Sequence, residues 1–282
     1  MIDTHTHVIG ADRARYPIVP PDGLPRLNWF EEHPVAADDL LASMDAGGVH
    51  GAVLVQAKGA YGFDNSYAAD ARAVAPHRLV NASIIDMEAP DRLDRLRYWA
   101  EERGMLGTRL FDIPSSDPSW LADPATAEVL AAAASMGVRV GLCVLAGRIP
   151  LVGSLLTLAP DLPVALDHCG FADLTGPPPH EAAAALFALA RNPNLRLKVT
   201  TTLLHPALQA GADPCRLIEH LSEVFGVERL MWGSDYPQHH TEPYPELVSL
   251  ARHACSGLSA SEQRRFLSGT AAELWPEIAP AP

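Results

Sequence analysis

Ile2-Asp3-Thr4-His5-Thr6-His7-Val8 opens the chain and runs directly into Ile9-Gly10-Ala11-Asp12. The first of these segments reads as a strand, Ile2–Val8. The second is not the glycine-rich phosphate loop that a doubly wound open sheet usually carries after its first strand. Seven more short runs rich in Val, Leu and Ile recur along the chain: Gly51–Gln56, Leu79–Ile85, Gly107–Phe111, Arg139–Leu145, Val164–His168, Leu195–Thr200 and Leu230–Asp235. Most are apolar on both faces, as strands covered by helices and packed on the other side should be.

Segments with helical spacing separate these runs. Asp38–Gly47 sets Leu40, Leu41 and Met44 on one face. Asn65–Ala75 can be capped by Asp64 or Asn65 and stops before Pro76. Pro90–Arg103, Pro124–Met136, Ile149–Leu158 and His180–Arg191 come next, then Glu242–Ala254 and Ser259–Phe266 near the end. The clearest is Pro214–Phe225, whose Leu217, Ile218, Leu221, Val224 and Phe225 form one apolar stripe. Strand alternating with helix over eight cycles predicts an α/β protein, a (β/α)8 TIM barrel, with residues 1–282 as a single domain. Two irregular stretches, Gly10–Pro34 and Cys169–Pro179, each come after a strand. A barrel would carry both over its C-terminal mouth, where active sites form.

Composition narrows the partners. Twenty-one basic against 34 acidic residues leave a net charge of −13, a field that repels phosphate backbones and anionic lipid. Nucleic acid and membrane are therefore not expected as partners, whereas a small-molecule substrate is. A homo-oligomer is compatible with the sequence. The start has neither a basic n-region nor an apolar core, which argues for a cytoplasmic rather than a secreted protein. Cys143, Cys169, Cys215 and Cys255 lack any C-x-x-C pairing and read as reduced thiols. Lys58 and Lys198 are the only lysines among many arginines, which gives each a second interest.

Polar residues interrupt the strands where apolar ones belong. Asp3-x-His5-x-His7 has the period of two that sets three side chains on one strand face, suited to a divalent metal or a pair of proton handlers. His168 ends the sixth strand and Asp235 the eighth, where a buried carboxylate is costly unless paired or used. Arg109, on the fourth strand, could point into the same volume. Each has a plainer account: a core histidine, a turn-initiating aspartate, a half-exposed strand. Their joint placement at the ends of strands one, four, six and eight favours a site with a base, electrophilic groups and a guanidinium for an anion.

Asp3-x-His5-x-His7 together with Trp232-Gly233-Ser234-Asp235-Tyr236-Pro237 resembles the amidohydrolase superfamily, in its amidohydrolase-related (amidohydrolase 2) branch. Val53-Leu54-Val55-Gln56 with Tyr61-Gly62-Phe63-Asp64-Asn65-Ser66, Gly107-Thr108-Arg109, Leu166-Asp167-His168-Cys169-Gly170 and Gly269-Thr270-Ala271-Ala272-Glu273-Leu274 are similar to its lactonase group, which holds 2-pyrone-4,6-dicarboxylate and sugar lactonases. The resemblance implies a barrel hydrolase. Asp235 would activate water, His5, His7 and His168 would polarise the carbonyl or bind a metal, and Arg109 would hold a substrate carboxylate.

The sequence also departs from that pattern. Metal-dependent members carry a histidine at the end of strand five, and Val140–Leu145 has none; Arg109 lies in the strand where the superfamily has a carboxylated lysine. A binuclear centre is not expected. The expectation is that no cofactor is required, with one Zn2+ on His5, His7, His168 and Asp235 as the alternative. Tyr61, Lys198 and His239 are further candidates for substrate binding, with a snorkelling or salt-bridged structural role the favoured reading of Lys198. Arg13, Arg15, Tyr16, Trp29 and Phe30 could form a lid or simply pack on the barrel. The expected reaction is opening of a lactone of a small carboxylated or sugar acid. The alternatives are a metal-dependent decarboxylase or amide hydrolase on the same fold, or a barrel that binds a metabolite without turning it over.

Overall fold

The computed structural model describes residues 1–21, 28–113 and 117–280. Eight parallel strands succeed one another around a barrel: β1 (Ile2–Thr6), β2 (Gly51–Val55), β3 (Leu79–Ile85), β4 (Gly107–Phe111), β5 (Arg139–Cys143), β6 (Val164–Leu166), β7 (Leu195–Thr200) and β8 (Leu230–Gly233). The ring closes just past the strand ends. Thr6 bridges to Tyr236, Asp235 N–H donates to the His5 carbonyl and His7 N–H to the Tyr236 carbonyl, both at 2.8 Å. All eight expected strands form. Four lose one or two residues and β6 two at the C-terminal end.

The main helices are α1 (Ala37–Gly47), α2 (Ser66–Ala71), α3 (Arg92–Arg97), α4 (Thr126–Ser135), α5 (Ile149–Leu158), α6 (Ala184–Phe187), α7 (Thr201–Gln209), α8 (Pro214–Phe225) and α9 (Tyr244–Ala254). Asn65 holds the cap position of α2 without a side-chain capping bond, and Asp64 just before it accepts the Ser66 N–H on Oδ1 at 3.0 Å. The continuous helices expected over Asn65–Ala75, Pro90–Arg103 and His180–Arg191 are interrupted: 3-10 turns extend α2 and flank α6, and a π turn, Tyr98–Glu102, extends α3. Among the described residues no helix is long and apolar enough to cross a membrane.

Two apolar layers hold the barrel. Leu54, Leu110, Leu142, Leu166 and Leu197 on the outer strand faces pack against helical residues such as Leu40, Leu155 and Leu221. Inside, Ile2, Val53, Val80, Ala82 and Met231 meet Ala271, Trp275 and Ile278 of the C-terminal segment, which plugs the N-terminal end. Gly51 and Gly107 permit that plug. A Cβ on Gly107 would stand 2.5 Å from the Trp275 ring, and one on Gly51 2.9 Å from Ile278.

A bulge in β1 changes which residues face the lumen. Asp3 pairs with Ala52 and Thr6 with Leu54, so three steps on β1 match two on β2. The strict alternation expected over Asp3, His5 and His7 therefore fails. Asp3 turns toward the helical layer, accepting the Tyr244 hydroxyl of α9 at 2.9 Å and the backbone N–H groups of His5 and Ser234. His5 and His7 turn inward.

Candidate active site

The C-terminal ends of the strands deliver the polar residues to one volume, and unusual backbone does the aiming. After β6 the chain enters a left-handed turn, with φ of 52° at His168, 50° at Cys169, 67° at Gly170 and 51° at Phe171. Neighbouring strand residues face opposite sides of a sheet. Leaving the strand at Leu166 lets Asp167 and His168 both point inward. After β8 Asp235 also has positive φ, 62°, which turns its carboxylate back under the mouth. Non-glycine residues in this region cost free energy and recur at functional sites.

Asp167 is the hub of the lumen. Its Oδ2 accepts a hydrogen bond from Nε of Arg109 at 2.6 Å, its Oδ1 forms an ion pair with Nζ of Lys198 at 2.9 Å, and Nδ1 of His5 lies 3.5 Å from Oδ1. All four side chains are buried. Burial alone would raise the Asp167 carboxyl, but Lys198, Arg109 and His5 outweigh it and hold it well below the usual carboxylate range.

Asp235 is the second buried carboxylate. Its Oδ1 lies 3.2 Å from Nε2 of His7 and 3.7 Å from Nε2 of His5, while Oδ2 accepts the Thr202 hydroxyl and the Gln238 amide at 3.3 Å. Burial pushes this carboxyl up, and the pull of His168, His7 and His5 overrides it, so Asp235 is ionised at neutral pH. Burial drives the His5 imidazole well below its ordinary value against the pull of Asp167, and that of His168 to about 4 against the pull of Asp235 and Asp167. Nδ1 of His168 sits 2.7 Å from the Thr200 hydroxyl, and its ring lies 4.6 Å from that of His5.

The donor set suits one divalent metal. A carbonyl can only accept, so Nδ1–H of His7 donates to Val55 O at 2.8 Å, which leaves Nε2 as the ring atom that faces Asp235. Both ring nitrogens of His5 are buried without a hydrogen-bond partner. The ligating atoms of His5, His7 and Asp235 lie within 4.8 Å of one another, a two-histidine, one-carboxylate set. His168, expected as a fourth ligand, stands outside that set. Two further groups of this kind lie at the rim, Glu32, His33 and His240, and His205, His239 and Glu242.

Above this cluster lies a cavity of about 210 Å3, with His7, His168, Arg109, Lys58 and Gln238 as its polar lining and Trp29, Phe111, Ile113 and Phe171 among its apolar walls. Asp235 and His5 lie beneath it, fully buried. Cys143 also lines it, but burial pushes its thiol up to about 12, which leaves it protonated and poorly nucleophilic. Trp29 packs its ring 5.6 Å from His7. Phe30, Tyr16 and Ile9 form a small apolar cluster with Ala60 and Tyr61, so the described part of the Gly10–Pro34 stretch packs on the β2 loop; its residues 22–27 lie outside the described residues. Arg15 pairs with Asp70 at 2.6 Å.

Three candidates fall elsewhere. Tyr61 spends its hydroxyl on the Gly10 N–H at 2.8 Å, His239 pairs with Glu242 at 2.9 Å, and Lys198 is committed to Asp167; none lines the cavity. Sequence reasoning missed Asp167, Gln238, Thr200 and Thr202, and passed over Lys58. The available signals were slight: a carboxylate beside His168, an amide three residues after Asp235, and the rarity of lysine.

Comparison with known proteins agrees with this architecture. No curated protein sequence matches the chain. A structure from Pseudomonas putida, provisionally named a 2-pyrone-4,6-dicarboxylic acid hydrolase, superposes with a TM-score of 0.77 at 24% identity, covering 98% of this chain and 97% of that one. One from Acinetobacter baumannii, given the same provisional activity and holding citric acid, gives 0.71 at 19% identity over 98% of both chains. An amidohydrolase from Burkholderia multivorans with bound zinc gives 0.76 at 23% identity over 98% of both. The family model described as Amidohydrolase matches residues 2–276. Nearly the whole barrel is thus accounted for by one family, and the chain belongs to the amidohydrolases.

Proposed function

We propose that this chain hydrolyses the lactone of a small carboxylated or sugar acid. The observation that carries the reading is the convergence of ionised Asp235 with His5 and His7, directly beneath a cavity floored by His7 and His168. Asp235 takes a proton from water as the water oxygen bonds to the ring carbonyl carbon. In the tautomer in which the Thr200 hydroxyl donates to Nδ1, His168 carries its proton on Nε2 and offers it to the developing oxyanion. One such donor contributes about 3–4 kcal/mol to a transition state. Collapse breaks the ring C–O bond, and Asp235 returns the proton to the leaving alkoxide. Thr202 and Gln238 fix the carboxylate through its other oxygen. A divalent metal held by His5, His7 and Asp235 would supply Lewis acidity and a more acidic water.

The names of the Pseudomonas and Acinetobacter relatives support a lactone substrate, and the citric acid of the latter is in keeping with a carboxylate-bearing ligand. The test is Asp235→Asn assayed on a panel of sugar lactones, pyrone acids and muconolactone-type acids. Turnover should fall about 10²–10⁴-fold with an unchanged circular dichroism spectrum. Near-normal turnover by the folded variant refutes the role. The donor set for one metal also favours a second reading, a metal-dependent decarboxylase. Release of CO2 in place of acid titratable at constant pH would select it.

A further inference from the structure

Lys58 opens the short helical turn Lys58–Tyr61 after β2 and is only 8% exposed. Its ammonium lies 3.0 Å from the centre of the Phe63 ring and 5.6 Å from that of Phe111. Among the described residues it forms no ion pair; Asp86 acts on it only at longer range. Arg109 stands on the same Phe111 ring, 4.8 Å from its centre, but its Nε is bonded to Asp167. Within the lumen Arg109 and Lys198 share the Asp167 carboxylate. Lys58 is therefore the cation on the cavity wall with no matching anion in contact among the described residues.

A desolvated charge without a partner is costly, and rings that favour a cation recover only part of the cost. We infer that Lys58 anchors a carboxylate on the substrate, and that Arg109, already engaged by Asp167, is not the main anchor. This rests on the proposed hydrolase reading for the identity of the rest of the substrate. A single ammonium among aromatic walls in about 210 Å3 suits one planar carboxylate on a small ring. A phosphate recruits more donors than this wall presents.

The experiment pairs two lactones that differ only in a carboxylate, assayed with the wild type, Lys58→Met and Lys58→Arg. Succinate binding by calorimetry gives a readout independent of turnover. Lys58→Met should raise KM for the carboxylated lactone and Kd for succinate about ten- to a hundredfold, the loss of one charge-assisted hydrogen bond. The rise in KM should be about tenfold smaller for the neutral lactone than for the carboxylated one, and Lys58→Arg should recover part of the affinity. Equal effects on both lactones, or an unchanged succinate Kd, overturn the assignment. If the wild type opens no lactone, the hydrolase reading fails, while the succinate measurement still decides Lys58.

Discussion

Nε2 of His7 stands 3.2 Å from Oδ1 of Asp235, while the Nδ1–H of the same ring is given to the Val55 carbonyl. Such a pair is held together by a shared proton or by a cation. We predict that stripped protein takes up one zinc ion per chain, measured by elemental analysis after dialysis. His7→Ala and Asp235→Ala should abolish uptake. His168→Ala should retain it, since Nδ1 of His168 is engaged by Thr200. At zinc a hundredfold above Kd the folded state should gain about 2.7 kcal/mol, visible as a higher Tm. Equal zinc in the His7→Ala protein would show that the ion binds elsewhere.

Asp167→Asn should be strongly destabilising. It leaves Arg109 and Lys198 buried without their shared anion, a loss of about 3–5 kcal/mol. Adding Lys198→Met should recover part of it. The pH dependence has a definite sign. The folded carboxyl lies well below its ordinary value of 3.8, so its contribution is complete above that value and disappears as the pH falls through the folded value. Urea midpoints of the wild type should therefore drop in acid more steeply than those of Asp167→Asn. Parallel pH profiles for the two proteins would dissociate Asp167 from acid lability.

The alternation of apolar runs made the barrel legible, since a buried parallel strand needs little beyond a short Val-, Leu- and Ile-rich segment. The site was legible where one residue per strand end carries the chemistry, as at His168 and Asp235. It was illegible where local backbone breaks the period. Asp167 neighbours His168, and strand geometry assigns adjacent residues to opposite faces; the left-handed turn that admits both leaves little trace beyond Gly170. Asp3 shows the converse. Its spacing from His5 fits a shared face, and a bulge sends it to Tyr244. Tyr61 belongs to a segment that resembles the lactonase group and Lys198 is a rare lysine inside a strand, but each meets an internal partner that only three-dimensional packing reveals.

Two glycines should separate stability from activity. A Cβ on Gly233 would lie 2.8 Å from Cβ and 3.1 Å from the backbone nitrogen of His5, whereas a Cβ on Gly107 would strike Trp275 at the far end of the barrel. Each alanine substitution should cost about 1–3 kcal/mol through overpacking. Gly233→Ala should also move His5 and lower kcat at least tenfold at temperatures where the protein stays folded, because displacements of about 1 Å can cost on the order of a hundredfold. Gly107→Ala should keep kcat near the wild-type value. Matching losses of kcat would mean that β8 does not set the His5 position.

Lys58 predicts how anion affinity should vary with pH. Burial lowers its ammonium from 10.5 to about 8, with Asp86 pulling it up and Arg109 pushing it down. It is charged below that value and neutral above it. Affinity for a carboxylate should be full below pH 8 and fall as the pH rises, approaching about tenfold per unit once the neutral amine dominates. Succinate binding by calorimetry between pH 6.5 and 9.5 tracks this without interference from spontaneous lactone opening. In Lys58→Arg the guanidinium stays charged throughout, so its succinate Kd should be flat over the same range. Asp86→Asn should shift the wild-type midpoint to lower pH by removing a carboxylate that supports the charge. A wild-type Kd that does not change between pH 7 and 9.5 would remove Lys58 from the anion site.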